Sequence, residues 1–311
     1  MNRKLISIIS GCFNEVDNVE ELHRQITAVM SALPQYDWEH IYIDNASRDG
    51  TQDVLRRMAA ADSKVKVILN NRNFGHIRSP HHALLQVRGD AVITMASDLQ
   101  DPPDLIPEFI KKWEAGYKDA LGQKTSSDET PLFYAVRTAY YRLVKKLADI
   151  ELIEHVTGFG LYDREVIEEF RKVDDPYPYG RGLISDLGYD VARVPYRQPE
   201  RKRGISKSNF YILYDLAMLG ITNHSKVPLR LATLLGFAMS LASLLVAIAY
   251  FLYKLLFWNN FPVGLAPVVI GLFLFSSVQL FFTGVLGEYI AAIHTQVLHR
   301  PLVIEKERIN F

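Results

Sequence analysis

The first third of the chain carries acidic and amide side chains at positions suited to chemistry. Asp44 closes the apolar run Trp38–Ile43. Asp98 and Asp101 follow another, in Ala96-Ser97-Asp98-Leu99-Gln100-Asp101-Pro102-Pro103. Closely spaced oxygen donors of this kind suit a hard divalent cation, which takes oxygen ligands and bridges phosphates. Taken singly, each aspartate also reads as a helix cap or a solvated loop residue. Asp101, directly before Pro102-Pro103, is expected to cap the helix that begins there. Farther on, Arg193, Arg197, Arg201, Lys202, Arg203 and Lys207 accompany a single acid, Glu200. Such a stretch binds phosphate, either on anionic lipid headgroups or on a substrate where arginine offers bidentate contacts.

These residues need elements to hold them. Leu5–Ser10, Trp38–Ile43, Val65–Leu69 and Ala91–Ala96 read as short buried strands. Val19–Leu33, Gln52–Ala61 and Pro80–Val87 read as helices, with Ser79-Pro80 as N-cap and first-turn pair. This alternation predicts an α/β domain with a mostly parallel sheet and helices on both faces. Ligands of such sheets bind beyond the carboxyl ends of the strands. The segments to inspect are therefore Gly11–Glu15, Asp44–Asp49, Asn70–Arg78 and Ser97–Pro103. Neither a GxGxxG dinucleotide fingerprint nor a Walker-type loop occupies them, which argues against an NAD or P-loop site.

The 311 residues include 35 basic and 35 acidic side chains, and 49% are hydrophobic. That balance hides a partition, because from Leu231 to Gly287 the only charged residue is Lys254. Leu231–Tyr253 and Val263–Leu286 are 23 and 24 residues without a charge before and after it. A spanning helix needs about 20. Asn259-Asn260 and Pro262 mark a short turn, so the pair reads as a transmembrane hairpin, with Tyr250, Tyr253 and Trp258 as an aromatic belt. Lys207, Lys226 and Arg230 precede it, and Arg300, Lys306 and Arg308 follow it. Both chain ends are thus expected on the cytoplasmic side. Asn209–Asn223 has helical apolar spacing and reads as an amphipathic helix in the membrane interface.

The single Cys12 excludes an internal disulfide or a multi-cysteine zinc site. Ile9-Ser10-Gly11-Cys12 superficially resembles a lipoprotein cleavage box, but the apolar run before it is too short for a signal peptide. A buried strand is expected there, and the domain before the hairpin is expected to be cytosolic. That domain is not basic overall, so nucleic-acid binding is not expected.

Together, Phe13-Asn14-Glu15, Asp44 with Ser47-Arg48-Asp49-Gly50-Thr51, Asn73-Phe74-Gly75 and Asp98-Leu99-Gln100-Asp101-Pro102-Pro103 resemble the family 2 glycosyltransferases. Arg201-Lys202-Arg203-Gly204-Ile205-Ser206-Lys207, with the helices after it, resembles the polyprenyl-phosphate sugar transferase group. The resemblance covers nearly the whole chain. It implies a GT-A fold over residues 1–207, an interfacial helix over 208–226, a two-helix hairpin over 227–298 and a cytosolic tail over 299–311. It further implies a nucleotide-diphosphate sugar donor, UDP-linked with glucose as first choice, a polyprenyl (undecaprenyl) phosphate acceptor, and Mg2+ or Mn2+. Carried over residue by residue, Phe13, Asn14, Glu15 and Asp44 would line the nucleoside pocket. Asp98 and Gln100 would hold the metal, and Arg181, Arg201 and Lys207 would bind phosphate, with Asp98, Arg201 and Lys207 central to catalysis. The implied location is the cytoplasmic (inner) membrane, in contact with membrane lipid.

Three departures from that pattern stand out. The first aspartate of D-A-D-L-Q is Ala96. Lys124 and Ser126-Ser127-Asp128 stand where relatives often carry arginines. G-D-F-R-L appears as Thr157-Gly158-Phe159-Gly160-Leu161. Conversely, Arg78, His81 and His82 replace small residues. Two other readings stay open at this point. One is a membrane glycosyltransferase that extends a glycolipid or polysaccharide; the other is an inactive membrane-anchored lipid-binding scaffold. Finally, Leu302–Ile309 is expected to form a strand that adds to a neighbouring subunit in a homo-oligomer.

Overall fold

The computed structural model describes residues 3–126, 156–173, 175–199, 218–219, 222, 225–257 and 265–311. The expected alternation appears as β1 (Lys4–Cys12), α1 (Val19–Ser31), β2 (Tyr36–Asp44), α2 (Thr51–Ala61), β3 (Val65–Asn70), α3 (Gly75–Gln86) and β4 (Ala91–Ala96). A 3-10 turn at Pro103–Leu105 leads into α4 (Ile106–Glu114). Then come β5 (Asp119–Ser126), β6 (Val156–Asp163), α5 (Arg164–Lys172), α6 (Gly180–Leu187) and β7 (Val191–Arg197). All join one sheet in the order β7-β5-β6-β4-β1-β2-β3-β8, where β8 is Glu305–Ile309. The core β3-β2-β1-β4 is parallel, while β6 and β8 run antiparallel to their neighbours.

Helices cover both faces, which is why the central strands are apolar almost continuously. On α1, Val19, Leu22, Ile26 and Met30 recur on one stripe and are buried. They share a core with Leu55 of α2, Phe109 of α4 and one face of the strands. The other face packs Ala83 and Leu84 of α3, Val166 and Phe170 of α5 and Ile184 of α6. Each large apolar side chain taken fully out of water contributes about 1.5–3 kcal/mol. The two layers hold the carboxyl ends of β1, β2 and β4 at fixed separations, which a site requires.

Two local expectations are corrected. The third helix begins at Gly75, not Pro80, so Pro80 lies inside it. Ser79 is not its cap: it is buried, and its hydroxyl accepts from Asn70 Nδ2 at 2.8 Å. Asn45 organises that earlier start by accepting the Phe74 N–H at 2.8 Å and donating to Gly75 O at 3.0 Å. Pro80 forgoes one helical hydrogen bond, and its ring sits where a Cβ on Gly11 would meet it at 3.3 Å.

The C-terminal strand is a further correction. It spans Glu305–Ile309 and pairs antiparallel with β3 of its own chain. Arg56 grips Glu307 at 2.8 Å, His82 meets Glu305 at 2.6 Å, and Asn310 donates to the carbonyls of Ala59 and Val65. The chain returns beside the open edge of β3 and covers it, so no second subunit is needed to pair this strand.

Before that return come α7 (Val227–Leu256) and α8 (Leu265–Val297), 30 and 33 residues long. Both are apolar and long enough to cross a membrane, and their apolar side chains lie on the surface. Most of the stretch expected to form the interfacial helix lies outside the described residues.

Candidate active site

Backbone strain collects at the carboxyl ends of the parallel strands. Asn14 after β1, Ala46 after β2 and Leu99 after β4 have φ of 56°, 62° and 63°. Ala and Leu gain nothing local from this left-handed geometry, which costs about 1–3 kcal/mol per residue and persists where surrounding contacts impose it.

The β1 and β2 loops are built into each other. Asp44 is wholly buried; its carboxylate accepts from the Ser47 N–H at 3.0 Å, from Gln52 Nε2 at 2.7 Å and from the Ser47 hydroxyl. Ser47 Oγ accepts the Asn14 N–H at 2.8 Å, and Asn14 Oδ1 accepts the Arg48 N–H at 2.9 Å. The Glu15 N–H donates to Thr51 Oγ1 at 3.0 Å, and Glu15 Oε2 accepts from Asn18 Nδ2 at 2.6 Å. Thus Ser47 joins Asn14 to Asp44, with Phe13 and Glu15 on either side of Asn14 in the chain. Cys12 is buried at the end of β1, and burial together with Asp44 pushes its thiol pKa up, so it is a core residue.

Beside these loops opens a cleft of about 440 Å³. Asp98, Gln100 and Asp101 line it from the β4 end, and Lys124 from the end of β5. His76 and His81 line it from α3, Tyr179 and Gly180 from the start of α6. The Gln100 N–H donates to Asp98 Oδ1 at 3.2 Å, and its Nε2 donates to Pro199 O at 3.4 Å. Lys124 Nζ donates to Gln198 Oε1 at 2.6 Å. These two bonds fix the chain just before the basic segment. Burial holds the His81 pKa down at about 4, helped by His82, so its imidazole is neutral in the cleft. Among the described lining residues, positive charge there comes from Lys124.

Asp101 is not a helix cap. It is 7% exposed, Oδ2 accepts the Ala96 N–H at 2.9 Å, and Oδ1 accepts the Tyr196 hydroxyl at 3.4 Å. It pins the turn that presents Asp98. Burial, then the charge of Asp98, raises its pKa to about 6, so it is ionised at neutral pH. Asp101→Asn is therefore expected to lower turnover roughly tenfold and to reduce the melting temperature. A charge-assisted bond of this kind contributes about 1.5–3 kcal/mol. Activity and melting measured on the same preparation check this; unchanged values in both would refute the pinning role.

The donor set fits a divalent cation of a particular kind. Among the described residues no three His, Cys, Asp or Glu side chains converge on a metal position. Asp98 and the amide oxygen of Gln100 offer two ligands on one side. That suits a cation arriving with a diphosphate whose oxygens complete its shell.

Of the other expected phosphate-binding residues, Arg181 belongs to α6, whose first residue lines the cleft. Arg201 and Lys207 lie outside the described residues. His76 falls in Asn70–Arg78, one of the segments expected to face a ligand, whereas Tyr179 and Gln198 were not legible as cleft residues. Asn45, which ties the β2 and β3 loops together, had one signal: its place directly after a strand-ending aspartate.

A parallel sheet with its cleft at the strand ends, strained loops around it and a carboxylate–amide pair on its wall is the architecture of a GT-A sugar-transferring enzyme. Residues 7–171 match the profile of glycosyl transferase family 2, and the chain belongs to that family. It is a glycosyltransferase. Its relatives include the bactoprenol glucosyl transferase of Shigella phage SfV, 34% identical over 97% of this chain and 98% of that one. The uncharacterized glycosyltransferase YkcC of Bacillus subtilis is 33% identical over 96% and 92%. Among solved structures, glucosyl-3-phosphoglycerate synthase of Mycobacterium tuberculosis, crystallised with Mn2+, UDP and phosphoglyceric acid, has the same fold. Its TM-score is 0.51 at 19% identity, covering 70% of this chain and 76% of that one.

Proposed function

We propose that the enzyme transfers glucose from UDP-glucose to a polyprenyl phosphate at the cytoplasmic face of the inner membrane, inverting the anomeric carbon. One observation carries the reading: the likeness to the bactoprenol glucosyl transferase runs over 97% of this chain, so it takes in the apolar helices as well as the catalytic domain. The acceptor oxygen belongs to a phosphate monoester with a second pKa of about 6. It is already anionic at neutral pH, so the protein needs no strong general base. Its work is positioning and neutralisation of charge.

In this reading Phe13, Asn14 and Glu15 hold the nucleoside, buried Asp44 braces the loop beside them through Ser47, and Asp98 with Gln100 holds Mg2+ or Mn2+ on the diphosphate. A bound cation neutralises negative charge on the leaving group. Lys124 adds a positive charge to the same cleft, and Arg181, Arg201 and Lys207 serve the donor and acceptor phosphates. The neutral His81 offers hydrogen bonds without competing for the anion. α7 and α8 form the membrane hairpin, with both chain ends cytosolic.

The test is a panel of purified protein, undecaprenyl phosphate, Mg2+ or Mn2+, and each labelled UDP- and GDP-sugar in turn. The expected result is lipid-linked glucose from UDP-glucose, abolished by chelation. Transfer only to a glycolipid hydroxyl would replace this reading with a chain-extending enzyme. Absence of both transfer and donor hydrolysis would favour an inactive scaffold.

A further inference from the structure

Most arginines whose contacts are described in the catalytic domain hold an acid. Arg24, Arg56, Arg57, Arg164 and Arg171 each pair with a carboxylate. Three others converge where α8 meets the domain, with no carboxylate paired to them among the described residues. Arg72 and Arg78 both lean on the ring of Phe74, with guanidinium carbons 4.0 and 5.6 Å from its centre. Arg78 donates to the carbonyl of Pro301, which places Arg300 next to them. The Nε of Arg78 is buried and has no hydrogen-bond partner among the described residues. Burial opposes the positive charge of Arg78, as do Arg72 and Arg300 nearby, while Tyr177 favours it.

Gathering like charges costs free energy unless an anion joins them. The surrounding contacts nevertheless hold the group in place. The Asn71 N–H donates to Ile304 O at 2.9 Å, and Gln296 in the last turn of α8 donates to Asp175 Oδ1 at 2.9 Å. Arg300 sits three residues beyond α8, which puts the cluster at the level of lipid headgroups in the hairpin reading. It also stands at the cleft's rim, because His76 and Ile77, between Arg72 and Arg78 in sequence, line the cleft.

We infer that Arg72, Arg78 and Arg300 form a binding site for the phosphate of a membrane lipid. Guanidinium groups match phosphate oxygens in pairs, and Arg72 and Arg300 are exposed where a lipid phosphate can reach them. The inference rests on α7 and α8 being membrane helices, as proposed above. Two lipids carry the required chemistry: the polyprenyl phosphate acceptor and an anionic phospholipid.

The experiment uses the full chain in a zwitterionic detergent and measures affinity for undecaprenyl phosphate and dioctanoyl phosphatidylglycerol. Undecaprenol and dioctanoylglycerol are the uncharged controls. Wild type is expected to prefer at least one phosphate lipid over its control by more than about tenfold, and R72Q/R300Q to lose roughly ten- to a hundredfold of that affinity. Both positions are exposed, so folding is expected to survive; R72K/R300K should recover much of the affinity because it keeps the charge. Arg78 is left intact because it also holds Pro301. If the double variant melts early, R300Q alone carries the test.

Loss for undecaprenyl phosphate alone identifies an acceptor site, loss for phosphatidylglycerol alone a headgroup anchor, and loss for both a shared lipid-phosphate site. Unchanged affinity for both lipids in a folded variant overturns the inference, as does a wild type indifferent to the phosphate. Should wild type transfer no sugar yet bind either phosphate lipid through these arginines, the proposed reaction fails and the site stands.

Discussion

Asp98→Asn is expected to lower turnover by on the order of 10²–10³ while leaving the fold intact, the scale on which loss of one preorganised electrostatic contact acts. Asp98 lines the cleft, and its Oδ1 accepts the N–H of Gln100 at 3.2 Å. Asparagine keeps an oxygen for that bond, so the turn survives and the negative charge alone is lost. The effect is large because, among the described residues, no further carboxylate joins Asp98 at a metal position. Ala96 supplies no carboxylate, and Asp101 is committed to the Ala96 N–H and the Tyr196 hydroxyl. Turnover at saturating UDP-glucose, the donor proposed above, with a thermal melt of the same sample, measures it. A variant retaining half the wild-type rate would show that Asp98 does not hold the cation.

The second large effect belongs to stability and lies at the opposite end of the sheet. Asp119 begins β5, has 0% exposure, and neither carboxylate oxygen finds a hydrogen-bond partner among the described residues. Burial, reinforced by Asp163, raises its pKa to about 7, whereas an unfolded aspartate titrates near 3.9. Folding therefore favours the protonated carboxyl. That contribution is fully present below about pH 4 and is lost as pH rises through about 7. The difference amounts to about 4 kcal/mol at most. Asp119→Asn cannot ionise, so its stability relative to wild type should rise between pH 4 and pH 8. Melting curves of both proteins at the two pH values decide it. Parallel shifts of the two would exclude a buried, titrating Asp119.

The helical stripe Val19, Leu22, Ile26, Met30 and the nearly unbroken apolar strands were legible because periodicity is written along the chain. Asp98 and Gln100 were legible too, since a short turn after β4 delivers both to one wall. Asp101 was misjudged for the opposite reason. Its neighbours Pro102-Pro103 suggest a cap, but its partner Tyr196 arrives from β7, 95 residues on. Ser79 before Pro80 suggested a helix start in the same way, until Asn45 and Asn70 drew the chain into helix five residues earlier.

What the sequence determined by itself is whatever local order encodes: the α/β alternation, the loops that must carry ligands, two charge-poor stretches long enough to span a bilayer, and the family motifs. Only the tertiary structure decided which side chains meet. It returned the C-terminal strand to β3 of its own domain, set His76, His81, Lys124 and Tyr179 around Asp98, and gathered Arg72 and Arg78 beside Arg300. Each of those contacts joins residues tens to hundreds of positions apart. Their proximity follows from strand order and helix packing, which depend on the whole core at once and leave no mark in any short stretch of sequence.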